Sequence, residues 1–352
     1  MQNNFQLIKN IFINFILILI ASVFSIFLLE LFVNSFLPQF DPRGMVAYQV
    51  NDEGVPLLKY KNQSMRQWKN TGDYDVSVFS NELGLRNHKD IKTNYVDEIY
   101  VVGDSYSFGQ GVEESERYSD QLEGLINKPI INISIPTDFQ GYDRLINYAI
   151  KNGANIEELI IGVCMENDLR VYEDINKGDK KDSFIRESIH FIKIKLTEIS
   201  ALYNFVTSVI HGNRILSKVA KNIGIISKNE SYDLASSSAL MNSKKKTLLS
   251  SVKYLKIIRE KYKIEPIILI VPSRSLWLGN NINQADEIHK TFIRMLLTEN
   301  FLIIDPRESF EKGGAPMDYH FKYDGHWNAK GHQLVSSIIA NQIVKNNLKK
   351  FD

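Results

Sequence analysis

Cysteine is almost absent from this 352-residue sequence, since Cys164 is the only one. An internal disulfide is therefore excluded, and so is a metal site built from several cysteines. His88, His190, His211 and His289 also lack the spacing of metal ligands, so we predict no metal site and no cofactor. An excess of one charge is missing too: the net charge is +1, which creates no field attracting polyanions. Nucleic acid is therefore not an expected partner.

Charge is missing altogether from one long stretch near the N-terminus. Residues 11–29 read IFINFILILIASVFSIFLL, and as a helix this run nearly crosses a bilayer core of about 30 Å. The run is apolar on every face, which disfavours a helix in the core of a soluble domain. The apolar stretch ends in NSFLPQFDPRG, residues 34–44, which contains no Ala-x-Ala cleavage site. The pattern predicts an uncleaved membrane anchor over 1–37.

The orientation of this anchor is predicted from its short leader, MQNNFQLIKN. The leader contains Lys9 and no acidic residue, so the positive-inside rule places it in the cytoplasm. We therefore expect a single-pass membrane protein whose remaining residues lie in the periplasm or outside the cell. Residues 38–75 are polar and rich in proline and glycine, which predicts an irregular juxtamembrane connector, followed by a larger domain over 76–352.

The pattern changes near residue 95, where short runs rich in Ile and Val alternate with helical stretches. Such runs are typical of strands that are buried on both faces. The alternation predicts an α/β fold, with helices on both faces of a parallel sheet of about five strands. The predicted strands are 98–102, 129–133, 158–163, 266–271 and 301–304.

One connection in this pattern is too long for a single crossover helix. About a hundred residues separate the third and fourth predicted strands, and roughly 172–238 is interpreted as a helical insertion. Two roles for the insertion remain open at this level. It is either further helix packed on the sheet or a cap over the functional site.

The first predicted strand runs into a glycine-rich turn, VVGDSYSFGQGV. A P-loop requires Gly-Lys-Ser/Thr, but no lysine is present; Gly103, Gly109 and Gly111 also lack the spacing of a dinucleotide fingerprint. A nucleophile at the tip of the strand remains, and Ser105 is the candidate. Asn167 and Asp168 follow the third strand. The carboxyl ends of parallel strands share one edge of the sheet, so we expect these groups to lie near Ser105.

A base for this nucleophile is found near the C-terminus, in YDGHWNAKGHQLV. Asp324 and His326 are two residues apart, so in an extended loop their side chains point the same way and the carboxylate can orient the imidazole. Asn328 is the predicted N-cap of a final helix that anchors this loop. Asp318 and His320 have the same spacing, but they lie farther from that helix.

Three segments together resemble the SGNH (GDSL-type) hydrolases, in particular a membrane-anchored member. They are GDS at 103–105, MEND at 165–168 and DGHWNAKGH at 324–332, in the chain order of the family blocks. The resemblance implies the family's flavodoxin-like, three-layer α-β-α fold. Two features depart from the pattern: Tyr106 replaces the leucine of the name, and the last block has Asp-x-His where many members have Asp-x-x-His.

The resemblance also implies roles for individual residues. Ser105 would be the nucleophile, His326 the general base and Asp324 its partner. The side-chain amide of Asn167 and the backbone N–H of Ser105 would bind the oxyanion. In the second block, NISIPT, Ser134 stands where the family has a glycine. Its backbone N–H would be a further oxyanion donor.

These features predict a membrane-anchored serine esterase acting on acyl esters. The resemblance implies that these are foremost acetyl esters of envelope or exported carbohydrate, or small esters. An O-acyltransferase that modifies an exported polysaccharide would use the same residues. A non-catalytic envelope protein, keeping the fold for assembly or binding, is the third possibility. The presence of Ser105, Asn167, Asp324 and His326 together argues against this third possibility. Ser134, in the place of the family's glycine, leaves it open.

Overall fold

A computed structural model gives the architecture. It describes residues 2–69, 72–91, 97–172, 192, 195–213, 215, 216, 218, 219 and 244–349. The chain forms two compact units, which are Met1–Met45 with Lys180–Ile225 and Val46–Asp179 with Ile226–Asp352. Most of the predicted insertion, 172–238, lies outside the described residues.

The strands and helices of the described residues are as follows. The strands are β1 Tyr48–Val50, β2 Pro56–Leu58, β3 Gln63–Trp68, β4 Asp75–Ser80, β5 Ile99–Val102, β6 Ile130–Asn132, β7 Glu158–Cys164, β8 Ile267–Val271 and β9 Leu302–Ile304. The helices are α1 Gln2–Phe36, α2 Ser105–Phe108, α3 Tyr118–Ile126, α4 Phe139–Lys151, α5 Ala201–Gly212, α6 Lys244–Tyr262, α7 Ile282–Thr298, α8 Arg307–Lys312 and α9 Ala329–Lys349.

The larger unit is built on a sheet of five strands in the order β6-β5-β7-β8-β9, and each neighbouring pair is parallel. All five strands coincide with the predicted apolar runs to within one residue at either end. The spatial order reverses beside β5, which is the arrangement of flavodoxin-like sheets. The predicted fold class, with a parallel five-stranded sheet between helices, is confirmed.

Both faces of this sheet are buried because apolar side chains alternate between two cores. Tyr100 and Ile161 belong to one core, together with residues of α4, α6 and α7. Val101 and Ile160 belong to the other, together with residues of α3 and α9. Since successive strand residues face opposite sides, an uninterrupted apolar run fills both cores at once. This explains why the strands carry no polar alternation.

The segment that was predicted as an irregular connector has to be corrected. β1 pairs with β2, and β3 pairs with β4, in two antiparallel hairpins. Leu57, Leu58 and Met65 are buried in the same core as Tyr100, so the compact unit begins at Val46. The signal in the sequence was weak, because two of the four alternately buried residues at the ends of β3 and β4, Gln67 and Ser80, are polar. Its short length and its proline and glycine neighbours concealed it.

The smaller unit contains α1 and α5. Within Phe12–Phe36 of α1, an 18-residue window has a mean hydropathy of 2.8. By length and composition this helix can cross a membrane, as a membrane anchor does, and a signal sequence has the same character. The predicted orientation of this segment stays a prediction.

Candidate active site

Ser105 is the first residue of α2, at the carboxyl edge of the sheet directly after β5. Asp104 caps this short helix: its side chain accepts a hydrogen bond of 3.0 Å from the backbone N–H of Tyr106. Gly109 ends the helix in the left-handed conformation, with φ of 81°. The chain therefore leaves a buried strand, makes one helical turn and bends away. This local geometry presents the hydroxyl of Ser105 at the sheet edge.

The guanidinium of Arg86 stabilises the bend after Ser105 through hydrogen bonds. Arg86 is fully buried and donates hydrogen bonds to the carbonyl oxygens of Phe108 at 3.1 Å, Gly109 at 2.6 Å and Val112 at 2.6 Å. Burial, followed by the nearby charge of Arg117, lowers the pKa of Arg86 to about 10. At neutral pH the group stays charged. It therefore binds three carbonyl oxygens along the tight turn and stabilises its shape.

The structure brings Ser105, His326 and Asp324 together in one hydrogen-bonded chain. His326 Nε2 lies 2.8 Å from Ser105 Oγ, and His326 Nδ1 is hydrogen-bonded to Asp324 Oδ1. With the proton on Nδ1 donated to the carboxylate, Nε2 is free to accept the hydroxyl proton of Ser105. The side chain of Asp324 is 3% exposed and that of His326 is 20% exposed. The carboxylate is thus sheltered, whereas the imidazole and the hydroxyl can reach a substrate.

Two residues of the β3–β4 hairpin also bind Asp324, and the sequence analysis missed both. Lys69 Nζ lies 2.9 Å from Asp324 Oδ2, and the hydroxyl of Tyr74 donates to the same oxygen at 3.3 Å. Burial alone would raise the pKa of Asp324, but His326 and then Lys69 together hold it well below its usual range. Tyr74 lies 250 positions from Asp324 in the chain, so no motif spacing could have revealed this contact.

The loop between Asp324 and His326 packs against a partly buried ion pair. Arg274 forms a salt bridge with Glu166, the acidic residue of MEND, with Nη2 and Oε2 2.6 Å apart. A Cβ placed on Gly325 would lie 1.7 Å from Arg274 Nη1, and Gly325 has a positive φ of 87°. The hydroxyl of Tyr106 donates to the carbonyl oxygen of Gly325 at 3.0 Å. Position 325 therefore requires glycine both for space and for backbone conformation.

We expect Gly325→Ala to lower kcat/KM by about 100-fold, because displacing Arg274 moves the loop that positions His326. Gly314→Ala is the matched control. Gly314 also has a positive φ, of 76°, but no atom lies within 4 Å of its added Cβ. The control should lose about 1 kcal/mol of stability through backbone strain and keep its activity. Equal activity losses in the two variants would show that the Arg274 contact does not matter.

The second Asp-x-His pair is not part of this arrangement. His320 is buried, its Nδ1 is hydrogen-bonded to the carbonyl oxygen of Pro316 at 3.1 Å, and its ring packs beside Trp277 and Phe310. Burial lowers the pKa of His320 to about 4, so it is neutral at pH 7. The carbonyl of His320 accepts a hydrogen bond of 3.1 Å from Asn328 Nδ2. His320 thus packs under the loop that carries His326.

Asn328 caps the final helix, as the sequence predicted. Its Oδ1 accepts a hydrogen bond of 3.1 Å from the backbone N–H of Gly331, in the first turn of α9. Its Nδ2 donates to the carbonyl oxygen of Asp318 at 2.8 Å. One side chain therefore joins the helix start to the preceding loop and limits the movement of His326.

The MEND turn presents Asn167 beside Ser105. Asp168 fixes this turn, because its Oδ2 accepts hydrogen bonds from the backbone N–H of Cys164 at 2.7 Å and from the hydroxyl of Tyr142 at 2.9 Å. Burial, with the neighbouring charge of Asp104, raises the pKa of Asp168 well above its usual value. Asn167 itself is exposed and lines the same cleft as Ser105. Asn167 and Ser105 therefore line one cleft, and the oxyanion role of the Asn167 amide stays a prediction.

Ser134 does not take the predicted position at the oxyanion. Its backbone N–H donates to Asn132 Oδ1 at 2.9 Å, and its Oγ lies 3.5 Å from the carbonyl oxygen of Val101. The residue is 1% exposed. Its donor is thus already engaged by the preceding asparagine, and the expectation that Ser134 binds the oxyanion is corrected.

The cleft beside Ser105 has a volume of about 440 Å³ and a predominantly polar lining. Pro136 and Gly141 are its apolar members. The other lining residues are Asp104, Ser105, Thr137, Asp138, Gln140, Arg144, Asn167 and Arg170. Within the described ranges, no cluster of three or more histidine, cysteine or carboxylate side chains could hold a metal ion.

Comparisons with known proteins return solved structures alone: no family model matches the sequence, and no curated protein matches it. Three similar structures illustrate the result. The lipase/acylhydrolase from Enterococcus faecalis is 12% identical, with a TM-score of 0.41 over 70% of this chain and 95% of that one. A catalytic mutant of Axe2, an acetylxylan esterase from Geobacillus stearothermophilus, is 12% identical, with a TM-score of 0.40 over 71% and 94%. A member of the lipolytic protein G-D-S-L family from Veillonella parvula is 13% identical, with a TM-score of 0.38 over 68% and 94%.

Proposed function

We propose that this protein is a serine esterase of the SGNH type, anchored in a membrane by α1, and that it hydrolyses short acyl esters on carbohydrate. One observation carries the esterase assignment: Ser105 Oγ lies 2.8 Å from His326 Nε2, and Asp324 binds the other ring nitrogen. A serine, a base and a carboxylate that orients the base are the minimum set for nucleophilic acyl transfer.

The proposed reaction begins when Ser105 attacks the ester carbonyl and His326 Nε2 accepts the hydroxyl proton. The carbonyl oxygen becomes an oxyanion, which the amide of Asn167 and the backbone N–H of Ser105 stabilise. His326 then protonates the leaving alcohol, and an acyl-serine remains. Water, deprotonated by the same imidazole, attacks the acyl group and releases the acid. Asp324 holds the imidazole and stabilises its charged form throughout.

The lining of the cleft supports a small acyl group and a polar alcohol. A long acyl chain requires an apolar channel, whereas side chains such as Thr137, Gln140 and Arg144 offer hydrogen bonds. Hydroxyl-rich carbohydrate matches such a lining. Acetyl is the acyl group that the proposal favours.

The proposal is tested with the purified full chain in detergent. We expect hydrolysis of p-nitrophenyl acetate with kcat/KM at least about 10-fold above that of the octanoate, because the polar cleft disfavours the longer chain. An equal or reversed preference would contradict the assignment of a short acyl group.

An experiment in cells distinguishes ester hydrolysis from acyl transfer. Mass spectrometry of envelope glycans should show more acetyl groups when the protein is deleted, because an esterase removes them. Fewer acetyl groups after deletion would instead identify an O-acyltransferase that uses the same acyl-serine. An unchanged acetyl content would remove envelope carbohydrate from the proposal.

The anchor and its orientation form a separate part of the proposal. The uncharged run within α1 and the lysine of the leader favour a cytoplasmic N-terminus. Alkaline phosphatase fused after residue 352 should therefore be active, and green fluorescent protein fused there should be dark when export is through the Sec route. The opposite pattern would place the active site in the cytoplasm and exclude envelope substrates.

A further inference from the structure

Glu30 is an acidic residue within the apolar stretch Phe12–Phe36 of α1, and its carboxylate binds the start of α5. It accepts hydrogen bonds from Ser200 Oγ at 2.7 Å, from the backbone N–H of Ala201 at 2.7 Å and from that of Leu202 at 3.1 Å. A carboxylate at a helix N-terminus satisfies free N–H groups and the positive end of the helix dipole. Glu30 therefore docks α5 onto α1.

Further contacts hold α5 at the end of α1. Asn204 Nδ2 donates to the carbonyl oxygen of Phe40 at 3.2 Å. The rings of Phe40 and Phe205 meet edge to face, with centroids 5.3 Å apart. The first turns of α5 are thus attached to α1 and to the turn that follows it.

The position of Glu30 along α1 indicates the depth of this junction. Phe12–Phe36 has 25 residues and would be about 37 Å long, which exceeds a hydrocarbon core of about 30 Å. Glu30 lies about 9 Å before the end of α1, at the rise of about 1.5 Å per residue. When the residues from Phe12 onward fill the core, Glu30 lies where hydrocarbon gives way to headgroups.

The composition of α5 and of the residues after it suits that boundary. Val206 and Val209 of α5 are 43% and 44% exposed. From residue 199 to residue 229 the sequence contains no aspartate or glutamate, and its four lysines and arginines are Arg214, Lys218, Lys221 and Lys228. Apolar residues combined with basic ones are typical of elements that lie in a membrane interface and bind anionic lipids.

We propose that α5 and the helical residues Ile215, Leu216, Lys218 and Val219 form a second membrane-binding element, which lies in the interface beside α1 and contacts anionic phospholipid. This inference rests on the proposed role of α1 as an anchor. It assigns the insertion a role that neither sequence interpretation included, since the insertion binds lipid through a helix docked on the anchor.

The inference is tested in vesicles of phosphatidylcholine and phosphatidylglycerol containing the full chain. An environment-sensitive fluorophore is attached to Val209→Cys, and nitroxide-labelled lipids serve as quencher. Cys164 is buried and does not compete for the label. We expect the label at 209 to be quenched at least about twofold by nitroxides near the headgroup. Val344→Cys, at a valine of α9 that is 52% exposed, is the control and should remain unquenched.

Variants of α1 test the junction itself. Glu30→Leu removes the acceptor of three hydrogen bonds and should reduce the quenching at position 209, while a label at Phe24→Cys stays quenched by nitroxides on the acyl chains. Ser25→Leu is the matched control, because Ser25 Oγ bonds only to Ala21 of its own helix at 2.8 Å. Equal quenching at 209 in the Glu30 and Ser25 variants would overturn the docking role of Glu30.

The remaining outcomes separate this inference from the other proposals. An unquenched label at 209 beside a quenched label at 24 would overturn the lipid contact and leave the anchor intact. Two unquenched labels would overturn both. A spectral shift at 209 that depends on protein concentration rather than on lipid would assign α5 to contact with a second copy. Labelling of Ser105 by a fluorophosphonate is read independently, so the esterase proposal can succeed or fail by itself.

Discussion

Ser105→Ala is expected to abolish covalent labelling by a fluorophosphonate and to reduce ester hydrolysis by about 10⁴-fold or more. The hydroxyl lies 2.8 Å from His326 Nε2, and no acyl-enzyme can form without it. The measurements are gel fluorescence with the probe and kcat/KM for p-nitrophenyl acetate. The residual rate should reflect only binding and the oxyanion donors.

Ser134→Ala is the matched serine control. Ser134 keeps its backbone N–H bound to Asn132 in this variant, and its hydroxyl makes only a 3.5 Å contact with a backbone carbonyl. We therefore expect labelling and activity close to those of the parent protein. If labelling persists in Ser105→Ala, the nucleophile lies elsewhere, and loss of labelling in Ser134→Ala would show that the hydroxyl of Ser134 takes part in the reaction.

The second large effect concerns the base and its partner. His326→Ala should remove esterase activity, and Asp324→Asn should lower kcat by about 10³–10⁴-fold, because the amide favours the wrong tautomer of the imidazole. Both variants are measured with the same ester substrate at pH 7, where the parent carboxylate is ionised. A fully active Asp324→Asn would show that the imidazole is oriented by other contacts.

Stability must be measured alongside these rates, and its sign follows from the pKa of Asp324. This pKa is lowered in the folded protein, so the ionised group stabilises the fold above the unfolded value of about 3.9. That contribution disappears as the pH falls through the folded pKa. Asp324→Asn should therefore have a lower Tm than the parent at pH 7, with the difference shrinking in strong acid. The activity assays should therefore be run at a temperature well below the Tm of the variant.

His320→Ala is the control for the choice between the two Asp-x-His pairs. The sequence alone predicts that this change retains most activity at unchanged thermal stability. The structure corrects the second half, because His320 is 4% exposed and packs beside Trp277 and Phe310. We expect a loss of about 1–3 kcal/mol in stability and retention of most activity below the Tm. A dead His320→Ala beside an active His326→Ala would reverse the assignment.

The parallel sheet, its five strands and the motif residues at its edge could be predicted from local sequence patterns. Strands that are buried on both faces must be continuously apolar, and this local pattern is visible without any long-range contact. The turn at Ser105 and the cap at Asn328 are local as well, because each depends on neighbouring residues. Features that follow from a few consecutive residues could therefore be predicted from the sequence.

The groups that surround Asp324, and the serine that faces the cleft, depend on tertiary contacts that the sequence did not reveal. Lys69 and Tyr74 reach Asp324 because the β3–β4 hairpin packs in the larger unit, a contact between distant parts of the chain. Ser134 was assigned to the oxyanion by its place in a motif. Its N–H is bound to Asn132 instead, since a buried donor takes the nearest acceptor. Spacing fixes residues along one strand or loop, whereas contacts between elements depend on how those elements pack.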